Sequence, residues 1–475
     1  MVPAEEADRV IPIVQPEADP HLQDAAQAER SKLCRIFRPP HFCVARPPRP
    51  PPPSSPRMRG HVAIVGGGVI GLSTAYYCAK AGYSVTVIDR NSPARNGCSF
   101  GNAGMVVPSH FIPLAAPGMV ALGLKWMWNP ESPFYIRPRF DAQLFEWGWR
   151  FWRASTAERV QKAAPLLRDI SLASRAAFEE LAALPQLDFG LVKKGLLMLC
   201  RSQHALDEEA HTAAQARALG IPADVLDARQ TAALDPAITM TVAGSVHFPQ
   251  DCHLSPDRFM AGLQHELERL GCRFRWKAEV RGWQTEHGRV RAAWVDGEAL
   301  EADEFVLCGG SWSPQTTAQL GLNLPIQAGK GYSLTLRQPR ELPNLCSIFT
   351  EARVAITPMN GQLRFGGTME IGGLNDTINP VRVRGIIKSV PKYFPRFEES
   401  DFEGVEPWFG LRPVPPDGLP YIGRTKRLAN LSLATGHGMM GISLAPITGQ
   451  LIADTLTGAR PRFDLSLLSP DRHSG

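Results

Sequence analysis

The stretch that decides the fold is residues 61–89, HVAIVGGGVIGLSTAYYCAKAGYSVTVID. An apolar run, Val62–Val65, ends at a glycine, which is typical of a strand buried on both faces. A helical pattern follows and stops at Gly82, a natural position for a left-handed cap. A second apolar strand, Val85–Ile88, then ends in Asp89. This order of strand, glycine turn, helix and strand predicts the opening unit of a parallel α/β sheet.

The glycines of this unit form a G-x-G-x-x-G motif in which each has a mechanical role. Gly66 permits the tight turn, Gly68 lets a pyrophosphate approach the backbone, and Gly71 lets the helix pack closely on the strand. The start of the helix offers free N–H groups and a partial positive charge to phosphates. Asp89 has the position of an acid that accepts hydrogen bonds from ribose hydroxyls. The unit therefore predicts dinucleotide binding, and by itself leaves FAD and NAD both open.

Composition sets limits on the rest of the chain. With 475 residues, the chain has the length of about two to three domains. Its net charge of +5 is small, and no basic patch with interleaved aromatic residues stands out, so we expect no nucleic-acid partner. The nine cysteines include no C-x-x-C pair, which favours a reducing compartment and argues against a disulfide framework or a metal site.

The membrane-related features of the sequence are weak. The most apolar long stretch, Met105–Trp128, is interrupted by three prolines, and the N-terminus has no apolar signal-peptide region. We therefore expect a cytoplasmic protein with at most peripheral contact with the inner face of a membrane. For Met105–Tyr135 three interpretations stay open: it covers a substrate entrance, contacts a membrane surface, or packs as irregular core.

Residues 1–57 have the composition of an unfolded extension. They end in PPRPPPPSSP, and polyproline runs favour extended, solvated chain. Met58 stands three residues before His61, where the first strand begins, so it is the natural beginning of the folded chain. A functional tail is the alternative.

Later segments predict a second domain interleaved with the first. Phe140–Leu184 has a helical pattern. Phe274–Val280 is predicted to be a strand that returns to the nucleotide-binding sheet, as is the start of FVLCGGSW, Phe305–Trp312. Tyr332–Leu336, Val354–Thr357 and Leu363–Thr368 alternate like antiparallel strands. We therefore expect an α/β protein in which a Rossmann-like parallel sheet is interleaved with a substrate domain built on an antiparallel or mixed sheet. The predicted cofactor-binding segments are 58–112, 246–328 and 401–475, and the substrate-binding segments are 113–245 and 329–400.

Six motifs in this order resemble the D-amino-acid oxidase superfamily of flavoproteins. They are the opening unit HVAIVGGGVIGLSTAYYCAKAGYSVTVID, FGNAGM, FVLCGGSW, GKGYSL, GLRPVPPDG and ATGHGMMGISLAPITGQLIAD. The chain is most similar to the D-amino-acid dehydrogenase and D-hydroxyproline dehydrogenase branch of that superfamily, from about residue 60 to about residue 460. The resemblance implies FAD as the cofactor and excludes NAD.

The resemblance also implies which residues contact FAD. Four groups are expected, at the ADP half, along the flavin, beside the adenine and pyrophosphate, and at the flavin N1–C2=O edge. In that order they are Gly66, Gly68, Val69, Ile70, Gly71, Asp89 and Arg90; Ser99, Asn102, Ala103, Gly104 and Met105; Val280, Gly309 and Gly310; and Gly436, His437, Gly438, Met439, Met440 and Gly441.

The candidate substrate-binding residues follow from the chemistry. Oxidation of an amino acid at flavin requires the Cα–H to be held over N5 and requires no nucleophile or metal. Arg412, in a proline-stiffened loop, is expected to bind the substrate carboxylate through two parallel hydrogen bonds. The alternative is a buried arginine paired with Glu406 or Asp417. Tyr332 either adds a hydroxyl to the carboxylate or packs in the core, and Arg353 is a second candidate cation.

The resemblance implies the oxidation of a D-amino acid by hydride transfer to flavin N5, with a quinone, the respiratory chain or O2 as the electron acceptor. Ile442 and Ser443 stand where the dehydrogenase branch often has a Trp-Thr pair, which favours a narrower substrate such as D-hydroxyproline or D-proline. Two alternatives stay open. One is an O2-using oxidase of glycine, sarcosine or another secondary amine, and the other is a flavin-bound assembly protein without turnover.

Overall fold

The structure, a computed structural model, describes residues 59–94, 97–127 and 131–473. The predicted N-terminal extension, residues 1–57, lies outside the described residues. Within the described ranges the strands, in chain order, are β1 (His61–Val65), β2 (Ser84–Asp89), β3 (Met105–Val106), β4 (Phe134–Ile136), β5 (Leu196–Cys200), β6 (Asp224–Asp227), β7 (Gly244–Phe248), β8 (Cys252–His253), β9 (Arg273–Trp276), β10 (Val280–Glu286), β11 (Arg289–Val295), β12 (Glu298–Glu301), β13 (Glu304–Leu307), β14 (Gln327–Leu336), β15 (Cys346–Phe349), β16 (Val354–Met359), β17 (Gln362–Ile371), β18 (Trp408–Val414), β19 (Tyr421–Arg424) and β20 (Leu431–Thr435). The α-helices are α1 (Val69–Lys80), α2 (Met119–Met127), α3 (Ala142–Ala154), α4 (Ala157–Ala182), α5 (Gln203–Ala218), α6 (Ala228–Leu234), α7 (Pro256–Arg269), α8 (Ser313–Ala318), α9 (Pro380–Tyr393) and α10 (Ala445–Thr457).

The first of the two large sheets has six strands in the order β19-β20-β13-β1-β2-β9. All pairs are parallel except β19 with β20. Val62, Ala63 and Ile64 of β1 are fully buried, as the continuous apolar run predicts for a central parallel strand. The predicted parallel sheet is therefore confirmed. Its strands bring their carboxyl ends to one edge, which is where open α/β sheets bind ligands.

Helix α1 packs closely on β1 at one side and on α10 at the other because a glycine removes the side chain at each contact. A methyl group added at Gly71 would lie 1.7 Å from the carbonyl oxygen of Gly66. On the other side of α1, a methyl group at Gly449 of α10 would lie 2.5 Å from the carbonyl oxygen of Ser73. These close approaches fix the start of α1 directly above the end of β1.

The second large sheet is mixed and has nine strands. Eight follow the order β18-β14-β17-β16-β15-β5-β7-β6, and β4 pairs with β17. Its pairs are antiparallel except β15 with β5 and β17 with β4. The predicted antiparallel or mixed sheet is confirmed. Strand β18 belongs to it, although the predicted segment 401–475 assigns this strand to the cofactor-binding part; the remaining segment boundaries stay predictions.

Two predicted elements are interrupted in the structure. The helical pattern Phe140–Leu184 is two helices, α3 and α4, because Thr156 adopts extended backbone and its side chain caps α4. The predicted strand Phe274–Val280 is divided at Lys277, whose φ is +56°, so β9 stays in the parallel sheet and β10 opens a separate antiparallel sheet with β11 and β12. No helix of the described ranges is both long and apolar enough to span a bilayer.

Candidate functional site

A cavity of about 460 Å³ lies at the carboxyl edge of the parallel sheet. It is lined by the ends of β1, β2, β13 and β20 and by the opening of α1. Most of the predicted cofactor residues meet there. The predicted residues that line it are Gly66, Gly68, Val69, Ile70, Asp89, Arg90, Ser99, Asn102, Val280, Gly309, Gly310, Gly436, His437, Gly438 and Gly441.

The glycine turn leaves no room for side chains at the pyrophosphate end of the cavity. Gly66 has a φ of +115°, and a methyl group on it would lie 2.4 Å from the carbonyl oxygen of Cys308. The backbone N–H of Val69 donates to Ser99 Oγ at 3.3 Å, which joins the predicted flavin loop to the first turn of α1. This cradle of bare backbone at a helix N-terminus suits a pyrophosphate.

The carboxylate of Asp89 is held in a fixed orientation at the end of β2. Oδ2 accepts a hydrogen bond from the N–H of Gly67 at 2.6 Å, and Oδ1 accepts one from the N–H of Asn91 at 2.7 Å. A carboxylate offers about four acceptor positions, so both oxygens keep capacity for ribose hydroxyls. Its position at the cavity wall suits the predicted adenosine end.

Arg90 and Trp312 form a cation–aromatic pair at this end of the cavity, which the sequence does not predict. The guanidinium of Arg90 lies 3.9 Å from the ring centroid of Trp312, and both residues line the cavity. The tryptophan of FVLCGGSW was the only available signal, and nothing in its local sequence indicates a contact with the end of β2.

The loop Thr435–Gly441 supplies backbone rather than side chains. Gly436 and Gly438 have φ values of +75° and +54°, and the N–H of Gly438 donates to the carbonyl oxygen of Pro413 at 2.8 Å. His437 is buried, with Nε2 2.9 Å from Thr448 Oγ1, and burial lowers its pKa to about 3. This neutral imidazole connects the loop to α10, so its side chain holds the loop in place.

Two side chains of the nine-stranded sheet hold the FGNAGM loop. Arg364 donates from Nη1 to the carbonyl oxygen of Asn102 at 2.8 Å, and Ser333 Oγ donates to the carbonyl oxygen of Gly101 at 3.0 Å. Arg364 is buried, so these bonds replace its lost hydration. Neither of these two contacts is predictable from the sequence, because Arg364 and Ser333 each pair with a loop more than 200 residues earlier in the chain. They fix the loop between the two sheets.

Six predicted cofactor residues do not line the cavity. Gly71 serves the packing of α1, as described above. Gly104 turns the chain beside β8, since a methyl group there would lie 2.1 Å from the carbonyl oxygen of Leu254. The other four are Ala103, Met105, Met439 and Met440. Ala103 lies against the face of the nine-stranded sheet at Gly366, Met105 is buried in β3, and Met439 is half exposed.

Arg412 lies on the face of β18 that is turned toward the FGNAGM loop. It is directly opposite Gly329 of β14, and its guanidinium lies over Gly331, where a methyl group would be 2.2 Å from both Nη atoms. Ser333 lies on the same face of β14, two residues along. Arg412 does not itself line the cavity, but its neighbours Leu411 and Pro413 do.

Among the described residues, the guanidinium of Arg412 has one hydrogen-bond partner. Nη1 donates to the carbonyl oxygen of Thr368 at 2.6 Å, and no acidic side chain of the described residues pairs with it. Burial lowers its pKa, and the thiol of Cys98 acts against this shift. A partly buried cation with free donors is unfavourable without an anion. The arrangement therefore suits an anionic ligand.

The alternative partners of Arg412 are engaged elsewhere or exposed. Asp417 binds Arg472 through two hydrogen bonds, of 2.8 Å to Nε and 3.1 Å to Nη2. Burial acts to raise the pKa of Asp417, but the charge and hydrogen bonds of Arg472 outweigh it and the pKa is lowered. Glu406 is exposed to solvent. A buried pair between Arg412 and Asp417 is therefore excluded.

A bulge in β17 positions the partner of Arg412. Thr368 and Met369 together face one residue of β14, Gly331, and the register shifts there. Thr368 has a φ of +62°, which is strained for a β-branched residue, and its buried hydroxyl has no hydrogen-bond partner in the part of the chain that the structure describes. Strained residues and bulges concentrate at functional sites. Here the bulge turns the carbonyl of Thr368 to the guanidinium.

Two predicted substrate residues are not brought to the cavity. Tyr332 is 1% exposed in the core of the nine-stranded sheet, and its hydroxyl is used by Glu370 at 3.1 Å and by the N–H of Asn379 at 3.2 Å. Arg353 is exposed in the turn before β16 and does not line the cavity. For Tyr332 the structure favours the core-packing alternative. Neither Tyr332 nor Arg353 lies where it could bind a substrate in the cavity.

Burial raises the pKa of two cavity thiols and of one carboxyl group behind the cavity. Burial raises the pKa of Cys98 to about 11 and that of Cys308 to about 12. Behind β3, Asp251 is fully buried and accepts from Ser109 Oγ at 2.5 Å and from its N–H at 3.1 Å. Burial raises the pKa of Asp251 to about 7. The thiols are therefore protonated at neutral pH and are poor nucleophiles.

The residues present fit an FAD molecule. A methyl group at Gly66 or Gly71 would fill the turn above which a pyrophosphate lies, Asp89 is fixed at the ribose position, and backbone from three separate loops lines the remaining cavity. FAD would be held by Gly66–Ile70 and Asp89 at one end and by Gly436–Gly438 at the other.

Comparisons with known proteins agree with this fit. Residues 61–455 match the DAO family, described as FAD dependent oxidoreductase. The chain is 34% identical over 422 residues to a D-amino acid dehydrogenase of Bradyrhizobium diazoefficiens, covering 87% of this chain and 99% of that protein. It is 34% identical over 416 residues to a D-amino acid dehydrogenase of Methylobacterium radiotolerans, with 86% and 99% covered.

Solved structures show the same fold. Glycine oxidase from Geobacillus kaustophilus has a TM-score of 0.69 and 25% identity, with 88% of this chain and 99% of that chain covered. L-proline dehydrogenase from P. horikoshii has a TM-score of 0.65 and 17% identity, with 87% and 97% covered. The chain therefore belongs to the DAO family of FAD-dependent oxidoreductases.

Proposed function

We propose that this chain is a D-amino acid dehydrogenase, in which Arg412 binds the carboxylate of the substrate. The observation that carries the proposal is the partly buried guanidinium of Arg412, which has one carbonyl partner and no acidic partner among the described residues. An amino acid carboxylate supplies the missing anion. Curated relatives named D-amino acid dehydrogenase, aligned over nearly their whole length, support the D-amino acid as substrate.

The geometry of the site indicates which part of the reaction the cofactor supplies and which part the protein supplies. When bound, FAD supplies the acceptor for the hydride that leaves the substrate Cα. The contribution of the chain is orientation. Arg412 fixes the carboxylate through planar, two-pronged donors, and the carbonyl of Thr368 fixes the guanidinium. Because the thiols of Cys98 and Cys308 are protonated and His437 is buried against Thr448, none of these three groups is suited to form a covalent adduct with the substrate.

The proposal extends to a narrow substrate range, with D-proline or D-hydroxyproline as the preferred class. Ile442 and Ser443 are both buried, and Ile442 lines the cavity. Ser443 Oγ accepts the N–H of Val107 at 3.0 Å, so its hydroxyl is committed to the backbone of the neighbouring segment. Because Ile442 is apolar and the hydroxyl of Ser443 is already used, this side of the cavity suits a substrate with an apolar ring more than one with a polar side chain.

A second candidate is an oxidase of glycine, or of sarcosine or another secondary amine, that uses O2. The similarity to glycine oxidase from Geobacillus kaustophilus favours it. The two candidates differ in the electron acceptor, which for a dehydrogenase is a quinone or another component of the respiratory chain.

The test is turnover of the purified holoprotein with D-proline, D-alanine, L-proline, glycine and sarcosine, measured in two ways. Reduction of an artificial quinone is followed without oxygen, and hydrogen peroxide is followed in air. The proposal expects quinone reduction with the D-amino acids and little peroxide. Peroxide formed in step with glycine or sarcosine would establish the oxidase, and absence of turnover with every amine would leave only a non-catalytic flavoprotein.

A further inference from the structure

Helix α3 has apolar residues on two opposite faces, although only one of them packs in the protein. On the packed face, Trp147 is 3% exposed, donates from Nε1 to the carbonyl oxygen of Val414 at 2.9 Å and stacks on Phe151 with ring centroids 5.1 Å apart. This contact anchors the helix to β18, two residues from Arg412. The structure therefore uses one face of α3 fully and leaves the other for a different role.

The opposite face carries what we call the aromatic stripe, Phe145, Trp149 and Trp152. Their i, i+4, i+7 spacing places them on one side of the helix. They are 65%, 53% and 62% exposed, and Phe140, just before the helix N-cap, is completely exposed. Single exposed apolar residues are ordinary, but a row of large aromatic residues on one helix face marks a surface that binds another protein or a membrane.

The charges in the part of the chain that leads to and carries the aromatic stripe indicate what covers it. In the described residues 119–127 and 131–154, every acid has a cation partner within the protein, whereas three exposed cations have no acidic partner. The paired acids are Glu131 with Lys388, Asp141 with Arg139 and Glu146 with Arg150. The cations without an acidic partner are Lys125, Arg137 and Arg153. The segment therefore presents uncompensated positive charge.

One of these cations belongs to the aromatic stripe itself. The guanidinium of Arg153 lies 4.8 Å from the ring centroid of Trp149. Tryptophan with arginine or lysine is the composition by which helices lie in the interface of a bilayer, since the rings enter the headgroup region and the cations meet lipid phosphates.

We propose that the aromatic stripe docks on the surface of a bilayer that contains anionic lipids. A second copy of this chain is the less suitable occupant. A two-fold contact brings the same patch of both copies together, so the positive charge of one patch would face the positive charge of the other. Anionic headgroups complement Lys125, Arg137 and Arg153. This inference does not depend on the substrate or the electron acceptor under the proposed function.

The experiment compares binding of the full-length holoprotein to two kinds of vesicles by sedimentation. One kind is phosphatidylcholine alone, and the other also contains phosphatidylglycerol. A cation near an anionic surface contributes about fivefold in affinity, so three predict a preference on the order of 100-fold for the anionic vesicles at low salt. Raising the salt concentration should weaken this preference.

Two sets of variants separate the apolar and the charged contributions. The double variant Trp149→Ser with Trp152→Ser should lose most of the binding to anionic vesicles. The matched control is Trp294→Ser, which removes a tryptophan that is 42% exposed on β11 and should bind as the unaltered protein does. Lys125→Glu with Arg153→Glu should abolish the preference for anionic over neutral vesicles. Because all these side chains are exposed, FAD content, melting temperature and turnover with a soluble acceptor should be unchanged.

Several results would overturn the proposal. The protein failing to sediment with anionic vesicles would do so, and so would equal binding of the Trp149→Ser, Trp152→Ser variant. Equal affinity for both kinds of vesicles would refute the assignment to anionic lipid. Light scattering that shows a dimer, dissociated by Trp149→Ser with Trp152→Ser, would assign the aromatic stripe to a second copy of the chain.

Discussion

Replacing Gly331 by alanine should displace the substrate-binding guanidinium without removing it. The added methyl group would lie 2.2 Å from Nη1 and Nη2 of Arg412. Gly331 does not have a positive φ, so its backbone accepts alanine, and the flexible end of Arg412 should move rather than β14. Loss of one charge-assisted hydrogen bond to the carboxylate costs about 1.5–3 kcal/mol. This predicts a fall of about 10- to 150-fold in kcat/KM, mainly through KM.

The assay is steady-state reduction of an artificial quinone, with melting temperature and FAD content measured on the same samples. The matched control is Gly148→Ala, where a methyl group meets nothing within 4 Å in the middle of α3. It should leave kcat/KM unchanged and stabilise the helix by up to about 1 kcal/mol. Arg412→Lys should lower kcat/KM further, because lysine lacks the planar pair of donors. Unchanged kinetics in Gly331→Ala, or a large fall in its melting temperature, would refute the reasoning.

Three other substitutions test separate parts of the structure. Asp89→Ala should purify with less bound FAD, read from the flavin absorbance, while the circular dichroism of the protein is kept; full retention would contradict the ribose contact. Thr368→Gly relieves the positive φ and should raise the free energy of unfolding in urea by about 1 kcal/mol, so a lower value would show that the bulge is not strained. For Asp251, burial raises the folded-state pKa to about 7, so its contribution to stability falls as pH rises from about 4 to about 7. Asp251→Asn should flatten melting temperature over that pH range, and an unchanged slope would assign the pH dependence to other groups.

The parallel sheet and most of the cofactor cavity were predictable from the sequence because their signals are local. Strand β2 ends in an acid, and β1 and β13 are followed within two residues by a glycine. Parallel strands bring these ends to one edge. The positions of Gly66 and Asp89 at the cavity can therefore be predicted without knowing which distant segments pair. The resemblance to a family added the loop at Gly436–Gly441, which no local pattern connects to the first strand.

The substrate side was less predictable because its geometry arises from pairing between distant segments. Arg364 and Ser333 bind the carbonyls of Asn102 and Gly101 across more than 200 residues of chain. The left-handed Thr368 depends on a bulge between β14 and β17, and threonine is not a residue that signals positive φ.

The position of Tyr332 was also not predictable from the sequence. The motif GKGYSL is compatible with a tyrosine on either face of β14. Only the register with β17 and the hydrogen bonds to Glu370 and Asn379 show that its hydroxyl belongs to the core.

The most direct test of the central claim is anaerobic titration of the purified protein with the two enantiomers of one amino acid, followed by flavin absorbance. Proline is the preferred choice, and alanine serves if proline does not react. Wild-type protein should be yellow and should lose its flavin absorbance with D-proline but not with L-proline, whereas Arg412→Ala should keep its FAD and require on the order of 100-fold more D-proline. Bleaching by the L-enantiomer alone, or equal bleaching of wild type and Arg412→Ala at every D-proline concentration, would contradict the account.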